Sequence, residues 1–338
     1  METPGLVDLQ VNGFAGVDFN DAAITPDALE HALAALRRHG VTTCLPTLIT
    51  APEAVLRARL EALERAAAAS ALARAMVPGW HLEGPFLSAE PGYAGCHDAA
   101  AMIDPDPALL DRLCRGRLRP ILMLTLAPER AGAAAMIAHA VARGMLVALG
   151  HTAASQAQLR AAIAAGARLA THLGNALPSP QPKFDNPLMA QLSEDGLAAS
   201  FIADGIHIPA FALKVLLRAK TPSRAILVSD ATAAAAAPPG LYDFAGMRIE
   251  HTREGAVRIP GTDRLAGSAL TLDRAVANLI AWGLAAPAEA IAMASTQPAA
   301  LLAPALAAHG LTRPDGRLRW NIGWGVAATR CGGAWANA

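Results

Sequence analysis

Eight apolar, β-prone runs alternate with helix-patterned segments over the first two thirds of this chain. The runs lie near Leu6 to Val11 and Val77 to Leu82, and at TTCLPTL, RPILMLTLA, MLVALG, RLATHL, ASFIAD and AILVSD. Continuous apolar strands separated by helices are typical of a parallel sheet covered by helices. Eight units favour a closed α/β TIM (β/α)8 barrel over an open doubly wound sheet, and no GxGxxG motif follows the first strand.

The length of the chain sets how much structure this barrel leaves over. A barrel takes about 250 residues, and the chain has 338. We predict a catalytic barrel over residues 4–307 and a C-terminal tail over 308–338. The alternation breaks after the eighth run, where LYDFAGMRIE and GAVRIP predict a hairpin-like insertion at about 238–265 that covers the barrel mouth.

Composition excludes several classes of function. Lys+Arg and Asp+Glu both number 28, and aromatic residues make up 4%, so neither a basic field nor a stacking surface for nucleic acid is expected. No run of 18 or more uninterrupted apolar residues indicates a membrane span. The start of the chain lacks the pattern of a signal peptide, and the four cysteines form no CxxC pair. These features predict a cytoplasmic protein.

Polar residues follow the apolar runs at six places. They are His81 to Glu83, His97, His151, His172, His207 and Asp230. Five of the six close a run directly, and His97 lies in the loop after one. Because the carboxyl ends of parallel barrel strands meet at one rim, we expect these side chains to converge on an active site.

Three of these residues have the donor types of a catalytic metal site. Such a site takes about three imidazole or carboxylate ligands and leaves a position for water. Glu83, His151 and His172 would supply them from the third, fifth and sixth strands. Taken singly, each is more readily explained as an unrelated polar residue at a strand end, whereas the matching positions of all three favour a metal site. The set suits zinc, iron, cobalt or manganese.

The remaining polar residues predict the rest of the chemistry. Asp230 is placed to take a proton from a water molecule beside the cation and to return it to the leaving group. An alternative is that it caps a helix. His97 and His207 are candidates for hydrogen bonds to a substrate carbonyl or hydroxyl, or are solvated loop residues.

At this level of detail the chain resembles the N-acetylglucosamine-6-phosphate deacetylase family of the amidohydrolase superfamily. The segments that carry the resemblance are GLVDLQVNG, HLEGPFLS, GCHD, LGHTAAS, THLGNAL, IADGIH, LVSDAT and LAGSALTLDRAVANLI. They follow one another in order from about Pro4 to Leu302. HLEGP together with THLxNA and ADGxH is the most specific combination.

The resemblance implies a TIM barrel with one divalent metal ion, zinc or iron, that removes the acetyl group from an amino sugar. It implies metal ligands at Glu83, His151 and His172 and a general base, then acid, at Asp230. Further implied roles are acetyl-carbonyl polarisation by His97, sugar binding by His207, and a phosphate pocket at Asn175 and Ala176. Lys183 stands near the position of a phosphate-binding arginine, and a homodimer is implied.

The first strand and the chain ends refine this expectation. Many amidohydrolases carry His-x-His on the first strand, whereas this chain has Gln10-Val11-Asn12. Amides are poor zinc ligands, so we expect a mononuclear site with Gln10 among the substrate-binding residues. The resemblance implies a small β-sandwich formed by strands from both chain ends, so the short start and the Gly- and Trp-rich tail predict either a reduced or vestigial small β-domain, the remnant of that sandwich, or an incomplete N-terminus. Open alternatives are an unphosphorylated N-acetyl sugar, another N-acyl amide, or a sugar-binding barrel without catalysis.

Overall fold

The computed structural model describes residues 1–313 and 315–338. The strands are β1 Glu2–Pro4, β2 Leu6–Val11, β3 Gly13–Phe14, β4 Val17–Asp18, β5 Val41–Ile49, β6 Trp80–Glu83, β7 Ile121–Leu126, β8 Leu146–Leu149, β9 Leu169–Ala170, β10 Ala198–Phe201, β11 Ala225–Leu227, β12 Gly240–Phe244, β13 Met247–His251, β14 Val257–Arg258, β15 Gly316–Trp320, β16 Val326–Cys331 and β17 Ala336–Asn337. The helices are α1 Pro26–Arg38, α2 Glu53–Ala69, α3 Ala71–Met76, α4 Pro107–Cys114, α5 Ala133–Ala142, α6 Gln156–Ala165, α7 Pro187–Ser193, α8 Ala210–Lys220, α9 Leu272–Ala281, α10 Pro287–Ala294 and α11 Thr296–Ala308.

Eight parallel strands form the barrel, in the order β2, β5, β6, β7, β8, β9, β10 and β11. The first and last strands meet through a parallel bridge between Val11 and Ala231 and a hydrogen bond from the Asp230 amide to the Gln10 carbonyl. The predicted (β/α)8 barrel is therefore confirmed. Its carboxyl-terminal rim brings together chain segments that are far apart in sequence.

Local sequence explains how strands and helices alternate. Strands β2, β5, β6, β7 and β8 are buried at every position, as expected for strands packed on both faces. Helix α1 is capped by Thr25, whose side chain accepts from the Ala28 amide, and has Pro in its first turn. Helix α6 is capped by Ser155, which forms a capping box with Gln158.

The insertion after the eighth strand is larger than the predicted hairpin. Strands β12, β13 and β14 form a three-stranded antiparallel sheet in which Glu250 pairs with Arg258. The GAVRIP run supplies the third strand, because it folds back on β13 instead of standing alone. Phe244, Ile249 and Val257 are buried on one face of this sheet and pack with Ile49 at the end of β5.

The two ends of the chain share a sheet. Strand β1 pairs antiparallel with β15, and β16 and β17 extend the sheet on the other side. Glu2, Thr3 and Pro4 therefore join the tail rather than the barrel. The division at residues 4–307 and 308–338, with the tail as the remnant of a β-sandwich, stays a prediction.

One apolar segment among the described residues, Pro287–Ala308, is long and apolar enough to cross a membrane by length and composition. It is divided at Ser295 into α10 and α11, and half of its most apolar window is buried inside the molecule. Both helices pack on the barrel strands β2 and β11. The segment is therefore buried as part of the helical layer that covers the barrel.

Candidate active site

The candidate site is built from the carboxyl-terminal ends of four barrel strands. Glu83 is the last residue of β6, His151 and His172 each lie two residues beyond β8 and β9, and Asp230 lies three residues beyond β11. All four side chains are at least nine-tenths buried. Strand direction and barrel closure therefore hold them at one rim.

Three of these four residues have left-handed backbone conformations. The φ angles are +51° at His151, +30° at His172 and +50° at Asp230. L-residues with a Cβ seldom adopt this region, and each instance costs on the order of 1–3 kcal/mol. The surroundings hold the backbone there: Ser200 Oγ accepts from the His172 amide at 2.7 Å, and the Asp230 amide donates to the Gln10 carbonyl at 3.0 Å.

Glu83, His151 and His172 aim one donor atom each at a common point. Nε2 of His172 lies 3.1 Å from Oε1 of Glu83 and 3.2 Å from Nε2 of His151, and the remaining edge of this triangle is 3.5 Å. Ligand bonds of about 2.1 Å in tetrahedral geometry place two donor atoms about 3.4 Å apart. The triangle therefore has the dimensions of a site for one small cation.

The protonation of His151 also suits a cation. Its Nδ1 lies 2.8 Å from the carbonyl oxygen of Tyr93. A carbonyl only accepts, so Nδ1 carries the proton and Nε2 presents its lone pair to the triangle. Two imidazole Nε2 atoms that face each other beside a carboxylate are a donor set that binds zinc or iron well.

His97 forms a second, overlapping group. Donor atoms of Glu83, His97 and His151 also lie within 4.8 Å of one another, with Nε2 of His97 3.6 Å from Oε2 of Glu83. On its other side, Nδ1 of His97 lies 2.9 Å from Oγ1 of Thr50. Burial lowers the pKa of His97 to about 3, so the ring is neutral at physiological pH. When Thr50 donates to Nδ1, the Nε2–H of His97 is free to donate to a substrate oxygen.

The two carboxylates at the rim differ in their environment. Burial raises the pKa of Glu83, but hydrogen bonds with His151 and His172 outweigh it and hold the pKa well below its usual range. Burial raises the pKa of Asp230 to about 6, although His172 and a hydrogen bond from Asn12 oppose the rise. Glu83 is thus a permanent anion suited to a metal, whereas Asp230 is suited to exchange protons near neutral pH.

A cavity of about 620 Å³, the central cavity, opens above these residues. His207 lines it from the loop after β10, and its Nδ1 lies 2.6 Å from Oδ2 of Asp204. The other oxygen of Asp204 accepts from the amides of Ile206 and His207, so this residue both shapes the turn and orients the imidazole. His207 therefore presents its Nε2 edge as a fixed binding group.

The structure brings together most of the residues singled out from the sequence. Those that line the central cavity are Glu83, His97, His151, His172, Asn175, Ala176, His207 and Asp230. Gln10 and Lys183 lie outside its lining. Gln10 is buried and donates to Glu83, and Lys183 is exposed. The helix-cap alternative for Asp230 is wrong, because residues 231–271 form turns and strands and the next helix is α9.

Several cavity residues were not predicted from the sequence. Arg264, Phe244 and Leu265 line it from the insertion, and Cys96 and Asn12 line it from the barrel side. The sequence predicts that the insertion covers the barrel mouth, but no pattern in it indicates which of its side chains line the cavity. Asn12 was recognised only as a missing metal ligand; here its Nδ2 donates to Oδ1 of Asp230 at 2.7 Å.

Comparison with known proteins places this geometry in context. A sequence model of the amidohydrolase family matches residues 1–303. The chain is 34% identical over 299 residues to an N-acetylgalactosamine-6-phosphate deacetylase of Escherichia coli O157:H7, covering 88% of this chain and 77% of that protein. It is also 34% identical over 311 residues to the N-acetylglucosamine-6-phosphate deacetylase of Homo sapiens, covering 88% and 74%.

A solved structure resembles the whole chain. It is a mutant of N-acetyl-D-glucosamine-6-phosphate deacetylase from Mycobacterium smegmatis in complex with N-acetyl-D-glucosamine-6-phosphate. The TM-score is 0.86 at 31% identity, and the match covers 99% of this chain and 86% of that one. The likeness extends over the barrel, the insertion and the terminal sheet.

Proposed function

This chain belongs to the amidohydrolase family, and from that premise we propose that it removes the acetyl group from a 6-phosphorylated N-acetyl hexosamine. N-acetylglucosamine 6-phosphate would give glucosamine 6-phosphate and acetate. The observation that carries the proposal is the triangle of donor atoms from Glu83, His151 and His172 beside Asp230. A protein that only binds a sugar has no need of a proton-transferring carboxylate beside a metal site, so this set favours hydrolysis over binding alone.

We propose that Glu83, His151 and His172 hold one divalent metal ion, zinc or iron. When bound, the ion lowers the pKa of water and withdraws electron density from a carbonyl oxygen. The protein's part is to orient the imidazoles and to keep the carboxylate ionised. The Tyr93 carbonyl fixes the His151 tautomer with Nε2 toward the triangle, and the low pKa of Glu83 keeps the carboxylate ionised.

Asp230 would act first as a base and then as an acid. It takes a proton from the attacking water and delivers it to the amine nitrogen as the C–N bond breaks. Its pKa of about 6 leaves it mostly ionised at neutral pH and able to hold the proton briefly. Asn12 keeps one of its oxygens engaged, so the other is directed to the reaction. His97 would donate to the acetyl oxygen.

The substrate would lie across the central cavity with its acetamido group at the rim. His207 would bind the sugar, and Asn175 and Ala176, which line the same cavity, would contribute to a phosphate pocket. By their names, the Escherichia coli deacetylase acts on a galactosamine 6-phosphate derivative and the human one on a glucosamine 6-phosphate derivative. The epimer at C4 is therefore a second candidate substrate that the test includes.

The decisive experiment measures acetate release by the purified chain and by Asp230→Asn. We expect the wild type to act on one or both 6-phosphates, and the variant to keep its metal while kcat falls on the order of 10²- to 10⁴-fold. Asp243→Asn, an exposed change on the insertion, is the matched control. Unchanged turnover in Asp230→Asn would reject the assigned base.

We further propose a cytoplasmic homodimer. Cys44, Cys96, Cys114 and Cys331 are all free, which fits a reducing compartment. The dimer is supported by the family resemblance, and light scattering on the purified chain would measure it. A monomeric mass would reject it.

A further inference from the structure

An arginine of the insertion points to how the anionic end of the substrate is recognised. Arg264 lines the central cavity, and among its described lining residues it is the one lysine or arginine. The floor of the same cavity carries the carboxylates of Glu83 and Asp230. Charge is thus divided between an acidic floor and a permanently cationic rim.

The backbone of Arg264 is held firmly. The residue ends the turn that follows β14, where its amide donates to Oγ1 of Thr262 and its carbonyl accepts from the amide of Ile259. The next residue, Leu265, forms an antiparallel bridge with Arg258. The turn fixes the position of the Arg264 backbone beside the cavity. The long side chain can still change rotamer, so the guanidinium can adapt to a ligand.

The guanidinium itself has no partner within the described residues. Other arginines of the same sheet are neutralised: Arg248 pairs with Asp243 at 2.8 Å and Arg258 with Glu250 at 3.2 Å. No hydrogen bond or ion pair of this kind engages the Arg264 side chain in the part of the chain that the structure describes. Its five donors are therefore available to a ligand.

The field of Arg264 reaches into the cavity. Burial raises the pKa of the Cys96 thiol to about 12, and the Arg264 guanidinium opposes that rise. Cys96 is itself part of the cavity wall, next to His97. The lysine predicted for this task, Lys183, is exposed outside the lining.

We propose that Arg264 binds the phosphate monoester of the substrate and so sets the preference for phosphorylated sugars. This assignment rests on the proposed function and names the residue that makes it phosphate-dependent. A guanidinium matches two phosphate oxygens with two parallel N–H donors, which lysine cannot reproduce. A phosphate held at the rim by Arg264 would leave the acetamido group of the same sugar directed toward the floor.

The test compares kcat and KM for N-acetylglucosamine 6-phosphate and for N-acetylglucosamine. With Arg264→Gln we expect kcat/KM on the phosphorylated sugar to fall on the order of 10- to 100-fold, mainly through KM. The loss on the unphosphorylated sugar should be much smaller, and Arg264→Lys should recover part of the loss on the phosphorylated one. Arg248→Gln removes the same charge from the same sheet and is the matched control.

A binding measurement separates this proposal from the function on which it rests. Titration with glucose 6-phosphate and with glucose needs no turnover. If no N-acetyl hexosamine is hydrolysed, the deacetylase proposal fails, and weaker glucose 6-phosphate binding by Arg264→Gln still supports Arg264. Three results would each overturn the assignment. Arg264→Gln could lose equal activity on both sugars, or it could bind glucose 6-phosphate as well as Arg248→Gln does. Lys183→Gln could also have a larger effect than Arg264→Gln.

Discussion

Nε2 of Gln10 donates a hydrogen bond to Oε1 of Glu83 over 2.9 Å. Just beyond the end of β2, the side-chain amide of Asn12 donates in the same way to Asp230 over 2.7 Å. Residues i and i+2 of an extended chain share a face, so one short segment serves both carboxylates of the site. The first strand therefore orients the acidic groups instead of supplying metal ligands.

The Gln10 amide should matter for metal affinity. Replacing it with Met in Gln10→Met keeps the volume but removes the donor that orients Glu83, and losses of this type are about 10- to 100-fold in metal affinity. Competition with a chelator at fixed pH would measure it. Thr43→Val is the control, because the buried hydroxyl of Thr43 has no hydrogen-bond partner among the described residues. Affinities within about twofold of each other in the two variants would contradict this role.

His172 and His97 can be told apart as the third ligand. The donor atom of His172 lies closer to Glu83 than that of His97, at 3.1 Å against 3.6 Å. We expect His172→Asn to lose bound metal during purification. His97→Asn should retain about one ion per chain and lose on the order of 10²-fold in kcat. Elemental analysis of both proteins decides, and the reverse pattern would move the metal to the His97 group.

Gly95 provides a steric test of the same site. Its φ is +59°, and a Cβ built there would lie 2.9 Å from Cε1 of His151. Gly95→Ala should therefore displace the His151 ring and lower both metal content and turnover, by on the order of tenfold or more. Gly246→Ala also puts an alanine at positive φ, here +88°, but its Cβ meets nothing within 4 Å. If both variants lose stability equally and keep their metal, the contact with His151 has no role.

The free energy of unfolding should depend on pH through Asp8. Burial raises the pKa of Asp8 to about 7, although hydrogen bonds from Ser229 and Gln10 oppose the rise. The folded chain then holds a proton that the unfolded chain releases near pH ~4. The contribution of Asp8 to the free energy of unfolding is greatest below pH ~4 and falls by a few kcal/mol as the pH rises to about 7. Urea denaturation of wild type and Asp8→Asn across that range would measure it, and parallel pH curves would contradict the shift.

Periodicity predicted most of the architecture because it reports burial directly. The bounds of β2 agree with expectation to the residue, since a run rich in Val and Leu is a local signal. The sequence could predict that Glu83, His151, His172 and Asp230 lie at one rim for a related reason. In a parallel barrel, residues that end a strand or closely follow it lie at the carboxyl-terminal rim.

Other features depended on contacts that no local pattern encodes. The third strand of the insertion is defined by its pairing with β13, and the role of Gln10 by a partner seventy-three residues away. The phosphate-binding position was assigned to Lys183 by resemblance, yet Arg264 lines the cavity. The fold of the insertion over the barrel decides which positively charged side chain lines the cavity, and this depends on tertiary structure.

The left-handed conformations at His151, His172 and Asp230 have a consequence for how this protein tolerates change. Glycine is the residue that adopts such angles without steric cost. Three residues to which we assign roles in hydrolysis thus carry backbone strain in the folded protein. Replacing any of these residues with glycine would relieve that strain and remove the side chain that the reaction needs. Selection for thermal stability and selection for activity would therefore favour different residues at these three positions.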